Sequence, residues 1–276
     1  MFELPEFTTL AKQMNETLPG KCIREGKLSD TPHRFVWYNR KPAEFTQLTQ
    51  GKTIGAAHAQ GKWLFVDVEP GYRLVFGECG GKILYHPADN DPPSKYHLLL
   101  RFDDGSALSA TTQMWGAMEL YERGKEHERQ YIKDMRTTPI EPGFTFEYFS
   151  RLIDDVLEIE KKSVKGLLTQ DQLIPGLGNA IAQDILFAAH LSPKHAIAEL
   201  NKTQRRQLYN AIVKTVKQVI VKGGRYDEFD LYNQPGKYVR LMDKNAVNRP
   251  CPECGRQIKK IAYLGGACYF CPNCQE

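Results

Sequence analysis

The sequence lacks any apolar run approaching the ~20 residues that a bilayer-spanning helix needs, so no membrane helix is expected. The N-terminus, Met1-Phe2-Glu3-Leu4-Pro5-Glu6, has two acids and no basic stretch, and the expectation is a cytoplasmic chain without a secretory signal. There are no internal repeats and no low-complexity tract. Nothing points to a nucleotide cofactor or an obligate oligomer, so a monomer is expected. Cysteine is scarce along most of the chain: only Cys22 and Cys79 lie outside the last 26 residues. That distribution excludes a chain-wide disulfide framework and leaves a local cluster at the C-terminal end.

The 276 residues are enough for two domains and an appendage. A hydrophobic content of 41% with 25% charged residues is that of an ordinary globular chain. The net charge of +4 conceals an asymmetry. Residues from 201 onward hold 14 Lys/Arg against 6 Asp/Glu, whereas the first 200 hold 23 against 27. A basic C-terminal third on an acidic body suits either a polyanionic partner or a lysine-rich solvated helical face.

Hydrophobic periodicity divides the chain into regions. Leu4, Phe7, Leu10, Met14 and Leu18 repeat at helical spacing, with Gly20 as the cap. From about 21 to 122 the pattern is short, alternating and glycine-punctuated, as in 63–68, 72–76, 82–85 and 98–102, with Asp104-Gly105 closing a hairpin. That spacing predicts an antiparallel sandwich or barrel. Residues 123–143 are charged, contain Pro139 and Pro142, and read as a linker. Two helical stripes follow. Phe146, Phe149, Leu152, Ile153, Val156 and Leu157 run behind a Thr145 cap, and Leu208, Ile212, Val216, Val219 and Ile220 end at Gly223-Gly224. Between them lie a short segment, Lys165 to Gln170, and the turn Ile174-Pro175-Gly176-Leu177-Gly178-Asn179, which opens a helix running to about His190. The predicted architecture is α+β and multidomain. Its parts are a helix plus β-sandwich over 1–130, a linker over 131–144, a helical domain over 145–235 and a cysteine-rich domain over 236–276.

Two motifs carry chemistry. Cys251-Pro-Glu-Cys254 and Cys271-Pro-Asn-Cys274, sixteen residues apart, have the spacing of a tetrahedral four-thiolate zinc site. A redox pair is the competing reading. With four protein ligands the ion has no open position, so its role is structural. Cys268 falls outside the spacing and reads as a packed thiol. The hairpin between the pairs carries Arg256, Lys259 and Lys260, placed to meet phosphates. The Gly176-Leu177-Gly178-Asn179 turn is an anion cradle in form, although such turns are also common plain connectors. Lys165, fourteen residues before Asn179, is either part of the same surface or merely solvated.

Taken together, Glu3-Leu4-Pro5-Glu6, Gly61-Lys62, Lys165 to Asn179 and Cys251 to Gln275 resemble the formamidopyrimidine-DNA glycosylase / endonuclease VIII family over essentially the whole chain. The resemblance implies an N-terminal β-sandwich, a helix–two-turn–helix domain and a zinc finger with one structural zinc. It also implies damaged, double-stranded DNA as partner, a damaged nucleotide flipped from the stack, and a nucleoid-associated location. The family's nucleophile is a proline directly after the initiator Met, whose amine attacks the sugar C1′ and later breaks the strand. Glu3 matches the family's general acid and Lys62 its hairpin lysine. The resemblance assigns DNA contacts to Lys165, Gly178, Asn179, Lys259 and Lys260.

Three positions depart from the family pattern. Position 2 is Phe2, which is bulky enough to block removal of Met1. The nearest terminal amine is then that of Met1, about one residue (~3.8 Å) from the family position. The finger reads Gly265-Gly266-Ala267 where an arginine is expected. The gap-filling loop reads Met114-Trp115, and Trp115 is either a wedge between base steps or an aromatic buried in the sheet. Two expectations follow: a glycosylase with altered and weakened lyase chemistry, using Met1, Lys62 or a Glu3-activated water, or a non-catalytic protein that binds damaged DNA with the same frame.

Overall fold

The computed structural model describes residues 1–29, 35–170 and 172–276. They form two compact units: Met1–Met135 with Val219–Tyr238, and Arg136–Gln218 with Val239–Glu276.

The first unit begins with α1 (Leu4–Thr17). Glu3 precedes it as the N-cap residue, and Glu6 accepts the Glu3 N–H at 2.9 Å, so the first turn is closed by its own acid. The strands are β1 (Ile23–Leu28), β2 (Val36–Trp37), β3 (Thr53–Gln60), β4 (Trp63–Glu69), β5 (Tyr72–Gly77), β6 (Gly81–His86), β7 (Leu98–Phe102), β8 (Ala107–Thr112) and β9 (Gly116–Glu122), with α2 (Pro42–Thr49) between β2 and β3. They build a four-stranded sheet ordered β1-β7-β8-β6 and a five-stranded sheet ordered β2-β9-β5-β4-β3. Their pairings are antiparallel except β2 with β9.

One core joins the inner faces of both sheets to α1. Leu98, Leu100 and Leu108 come from the first sheet, Leu64, Val66, Val68 and Leu74 from the second, and Phe7, Leu10 and Met14 from the helix. The run over β4 is apolar on both faces because it covers two cores. Leu64, Val66 and Val68 point inward, while Trp63 and Phe65 form an outer cluster with Val75, Ala117 and Tyr121. That outer face needs a cover, and Ile132 and Met135 supply it from the charged stretch after β9, with Ile132 on the short helix α3 (Gln130–Lys133).

The second unit holds α4 (Phe146–Asp154), α5 (Val164–Thr169), α6 (Asn179–Ala188) and most of α7 (Lys202–Val221). Thr145 Oγ1 caps α4 by accepting the Tyr148 N–H at 3.1 Å, and Ser163 Oγ caps α5 by accepting the Gly166 N–H at 3.2 Å. Most of each predicted stripe is buried, with Phe149, Leu152 and Ile153 on α4 and Leu208, Ile212 and Val216 on α7. Leu157 lies past the end of α4 and is exposed, because the helix stops at Asp154 before its register reaches that residue. The unit ends in a hairpin of β10 (Lys259–Tyr263) and β11 (Gly266–Phe270). Leu264 and Gly265 turn it with positive φ at both positions (51° and 71°), the conformation a tight two-residue hairpin requires.

Chain order and packing diverge once. Residues 219–238, most of them within the helical domain expected from sequence, belong to the first unit, where Leu231 sits in the sandwich core.

Candidate functional site

In the first unit, the chain's first residues meet the segment that follows α7. Arg225, only 2% exposed, is the hub. Its Nε donates to Glu6 Oε1 at 2.9 Å and its Nη2 to Glu6 Oε2 at 3.0 Å, a two-pronged pair, and its backbone N–H adds a third bond to Glu6 Oε1 at 3.1 Å. Nη2 also reaches the Met1 carbonyl at 2.7 Å and Glu228 Oε1 at 3.4 Å, and Nη1 lies 3.9 Å from Glu3 Oε1. The Met1 α-ammonium donates to Glu228 Oε1 at 2.7 Å. Glu3, Glu6 and Glu228 therefore share Arg225, and Glu228 also holds the Met1 amine.

The protonation balance of this cluster follows from burial and charge. Burial works against the Glu6 carboxylate, but the Arg225 guanidinium and the backbone N–H groups outweigh it and hold its pKa below the ordinary value. Burial raises the Glu228 pKa, and Arg225 and the Met1 amine offset only part of that. Arg225 is held fully charged by the surrounding carboxylates against its own burial.

Phe2 occupies the position where the resemblance places a proline. Its ring is fully buried in the sandwich core, edge-on to Phe7 with centroids 5.5 Å apart. Its backbone nitrogen is a peptide amide that donates to the Cys79 carbonyl at 2.8 Å. An amide in such a bond has no free lone pair, so chemistry at this nitrogen is closed. Lys62 is half-buried at the turn between β3 and β4, and its carbonyl accepts the Glu78 N–H at 3.3 Å. The short link Glu78–Gly80 thus joins the Lys62 turn to the N-terminus: Glu78 touches Lys62, Cys79 holds Phe2, and Gly80 lies against the Met1 backbone, where a Cβ would come within 3.4 Å. The Cys79 thiol is buried and pushed up to about 12 by desolvation, which leaves it inert.

Trp115 lies in the turn between β8 and β9 and is 39% exposed, so it is not a buried sheet aromatic. Its ring stacks on Trp37, with centroids 5.2 Å apart and planes 15° apart, and leans on Phe35 at 4.7 Å. Met114 beside it is exposed.

In the second unit the four predicted thiols converge. The Sγ atoms of Cys251, Cys254, Cys271 and Cys274 all lie within 4.8 Å of one another, with Cys254 to Cys271 at 3.5 Å and Cys251 to Cys274 at 3.8 Å. Such a set fits a tetrahedral structural zinc ion, and it leaves no position for substrate. Cys268 lies outside the set, buried on β11 opposite Ile261. Lys259 and Lys260 are exposed at the start of β10.

The glycine turn also does structural work. Gly178 is the N-cap residue of α6, and Asn179 opens that helix. The Asn179 amide and the Gln183 amide each donate to the Ala267 carbonyl at 3.2 Å, and Gln183 accepts the Tyr269 N–H at 2.5 Å. These bonds fasten β11 to α6. Lys165 is only 1% exposed, and its ammonium donates to the Tyr263 carbonyl at 2.6 Å, beside the hairpin turn. Its charge is thus spent inside the unit, a placement that spacing alone does not report.

The two-sheet body, the capped helices around a glycine turn and the four-thiolate finger together match a known fold. The N-terminal domain of formamidopyrimidine-DNA glycosylase matches residues 1–116, and the H2TH domain of the same enzyme matches residues 137–229. The formamidopyrimidine-DNA glycosylase of Bacillus licheniformis is 27% identical over 280 residues, and that of Lactobacillus delbrueckii subsp. bulgaricus is 28% identical over 287, each match covering both chains fully. Among solved structures, MutM (Fpg) from Thermus thermophilus superposes with a TM-score of 0.82 at 25% identity, covering 99% of this chain and 98% of that one. Lactococcus lactis Fpg in complex with abasic-site DNA shares the fold at a TM-score of 0.84 and 24% identity, covering 99% of both chains. The chain belongs to the formamidopyrimidine-DNA glycosylase family.

Proposed function

We propose that the chain is a base-excision-repair DNA glycosylase that binds damaged double-stranded DNA, flips out the damaged base and releases it. The observation that carries this reading is the end-to-end match to formamidopyrimidine-DNA glycosylases through both family domains. Flipping is required because the glycosidic bond of a stacked nucleotide is out of reach of a protein side chain. Glu3 is the general acid for the departing base, Lys62 a cation beside the phosphate, and the Met1 amine the nucleophile in place of the closed nitrogen of Phe2. Lys259, Lys260 and the Gly178-Asn179 turn meet the backbone, and Trp115 enters the space left by the flipped base. Lys165 supports that contact from inside by holding the Tyr263 carbonyl. One structural zinc orders the finger, and the protein works as a monomer at the nucleoid.

The test is a base-release screen on oligonucleotides bearing oxidised bases and abasic sites, with Glu3→Gln as control. The expected outcome is release from at least one lesion, reduced about 100-fold or more in Glu3→Gln. Strand cleavage is expected to be weak compared with base release, because the position-2 nitrogen is an amide. That same amide favours one second reading, a lesion-binding protein without chemistry. Tight binding of damaged duplex with no release from any lesion would select it.

A further inference from the structure

We propose that Glu228 is the proton acceptor of the N-terminal site: it takes a proton from the Met1 α-ammonium and frees the lone pair that attacks C1′ of the damaged nucleotide. The assignment rests on the glycosylase reading above, with Met1 as nucleophile.

An ammonium has no lone pair to give, so a terminal amine needs a base beside it before it can act. Glu228 Oε1 already accepts the Met1 N–H at 2.7 Å, within the range in which a proton passes directly. The charged groups facing Glu228 are Arg225, the Met1 amine and Glu6, with Glu3 across the guanidinium. Burial raises the proton affinity of Glu228 more than the two cations lower it. Glu6 is committed elsewhere, with both oxygens on Arg225, so its charge is structural.

Arg225 is the positioning residue. Its Nη2 donates to the Met1 carbonyl at 2.7 Å and faces Glu228 Oε1 at 3.4 Å, so one planar group sets the amine-bearing residue against its base. The step balances without another reactant. One proton moves from Met1 N to Glu228, the amine lone pair forms the N–C1′ bond, and the C1′–base bond breaks with its electron pair leaving on the base. The departing base takes its proton from Glu3, the general acid, and the proton held on Glu228 balances the one Glu3 has given up.

The experiment compares wild type, Glu228→Gln and Glu228→Asp in single-turnover base release and borohydride trapping on lesion-bearing duplex, at pH 7 and pH 9. Glutamine keeps an oxygen for the Met1 N–H but cannot take the proton. Glu228→Gln is expected to bind DNA within about twofold of wild type and to fall by at least about 100-fold in both readouts at pH 7. At pH 9, where hydroxide in solution can take the proton that Glu228 otherwise accepts, at least about tenfold should return. Glu228→Asp should exceed Glu228→Gln by about tenfold or more. The trapped adduct of wild type, which needs no variant, should map to the peptide carrying Met1. A wild-type rate in Glu228→Gln, a folded variant without alkaline recovery, or an adduct on Lys62 would each overturn the assignment while leaving the glycosylase reading intact. A wild-type protein that releases no base and traps no adduct would remove both.

Discussion

Arg225 and Glu6 form the contact on which the N-terminal site is built, and their burial sets its energetics. Removing one partner of a buried, doubly hydrogen-bonded pair strands the other charge, at a cost of ~3–5 kcal/mol. Glu6→Gln is therefore expected to lower the melting temperature clearly and to loosen Met1, whose carbonyl shares the same guanidinium. Denaturant unfolding and hydrogen exchange at Phe2 measure the two effects. Glu6 also sets an acid limit. Its pKa is lower folded than unfolded, so the folded state binds that proton more weakly. The resulting stability is complete above the ordinary carboxylate pKa of ~4.3 and is lost as pH falls below it toward the folded value. Unfolding midpoints from pH 6 down to 3 should show that loss in wild type, and a flatter slope in Glu6→Gln.

The finger and α6 behave as one element because their bonds interlock. Asn179, Gln183 and Lys165 all donate to backbone carbonyls of the β10–β11 hairpin. Metal analysis should find one zinc per chain, and chelation should free the hairpin amides while leaving the sandwich intact. Lys165→Met leaves the Tyr263 carbonyl without its ammonium partner. Hydrogen bonds to charged groups contribute ~1.5–3 kcal/mol, so amide exchange across residues 263–267 should speed up roughly tenfold or more. Unchanged exchange would mean that the lysine holds nothing. The same hairpin lacks an arginine at Gly265-Gly266-Ala267, and its cations are Lys259 and Lys260 at the far end of β10. Replacing both by alanine should reduce the slope of log affinity against log salt by ~0.9 for each phosphate no longer neutralised, equally for damaged and undamaged duplex.

At the scale of the molecule, the two units differ in charge. The unit with the finger holds 17 Lys/Arg against 12 Asp/Glu, and the unit with the sandwich 20 against 21. The polyanion reading of the basic C-terminal third agrees with family membership, while the excess itself resides largely in one unit. Among the described residues no helix is long and apolar enough to cross a membrane.

Much of this was legible from local pattern. The α1 stripe, the strand alternation, the helix cap at Thr145 and the four thiols each depend on residues close in sequence, so periodicity and spacing determine them. The C-x-x-C pairs needed only a hairpin to converge. Other features depend on contacts between residues more than two hundred positions apart, such as Glu6 with Arg225 and Met1 with Glu228. No local signal distinguishes Arg225 from the solvated cations around it, and a lone lysine such as Lys165 reads as exposed until its surroundings exist. Burial is a property of the assembled fold, and burial turned these ordinary charges into a positioned site. Local sequence thus determined which elements form and where the zinc goes, while tertiary packing alone decided which charges lost their water and therefore which can hold an amine, a carbonyl or a proton.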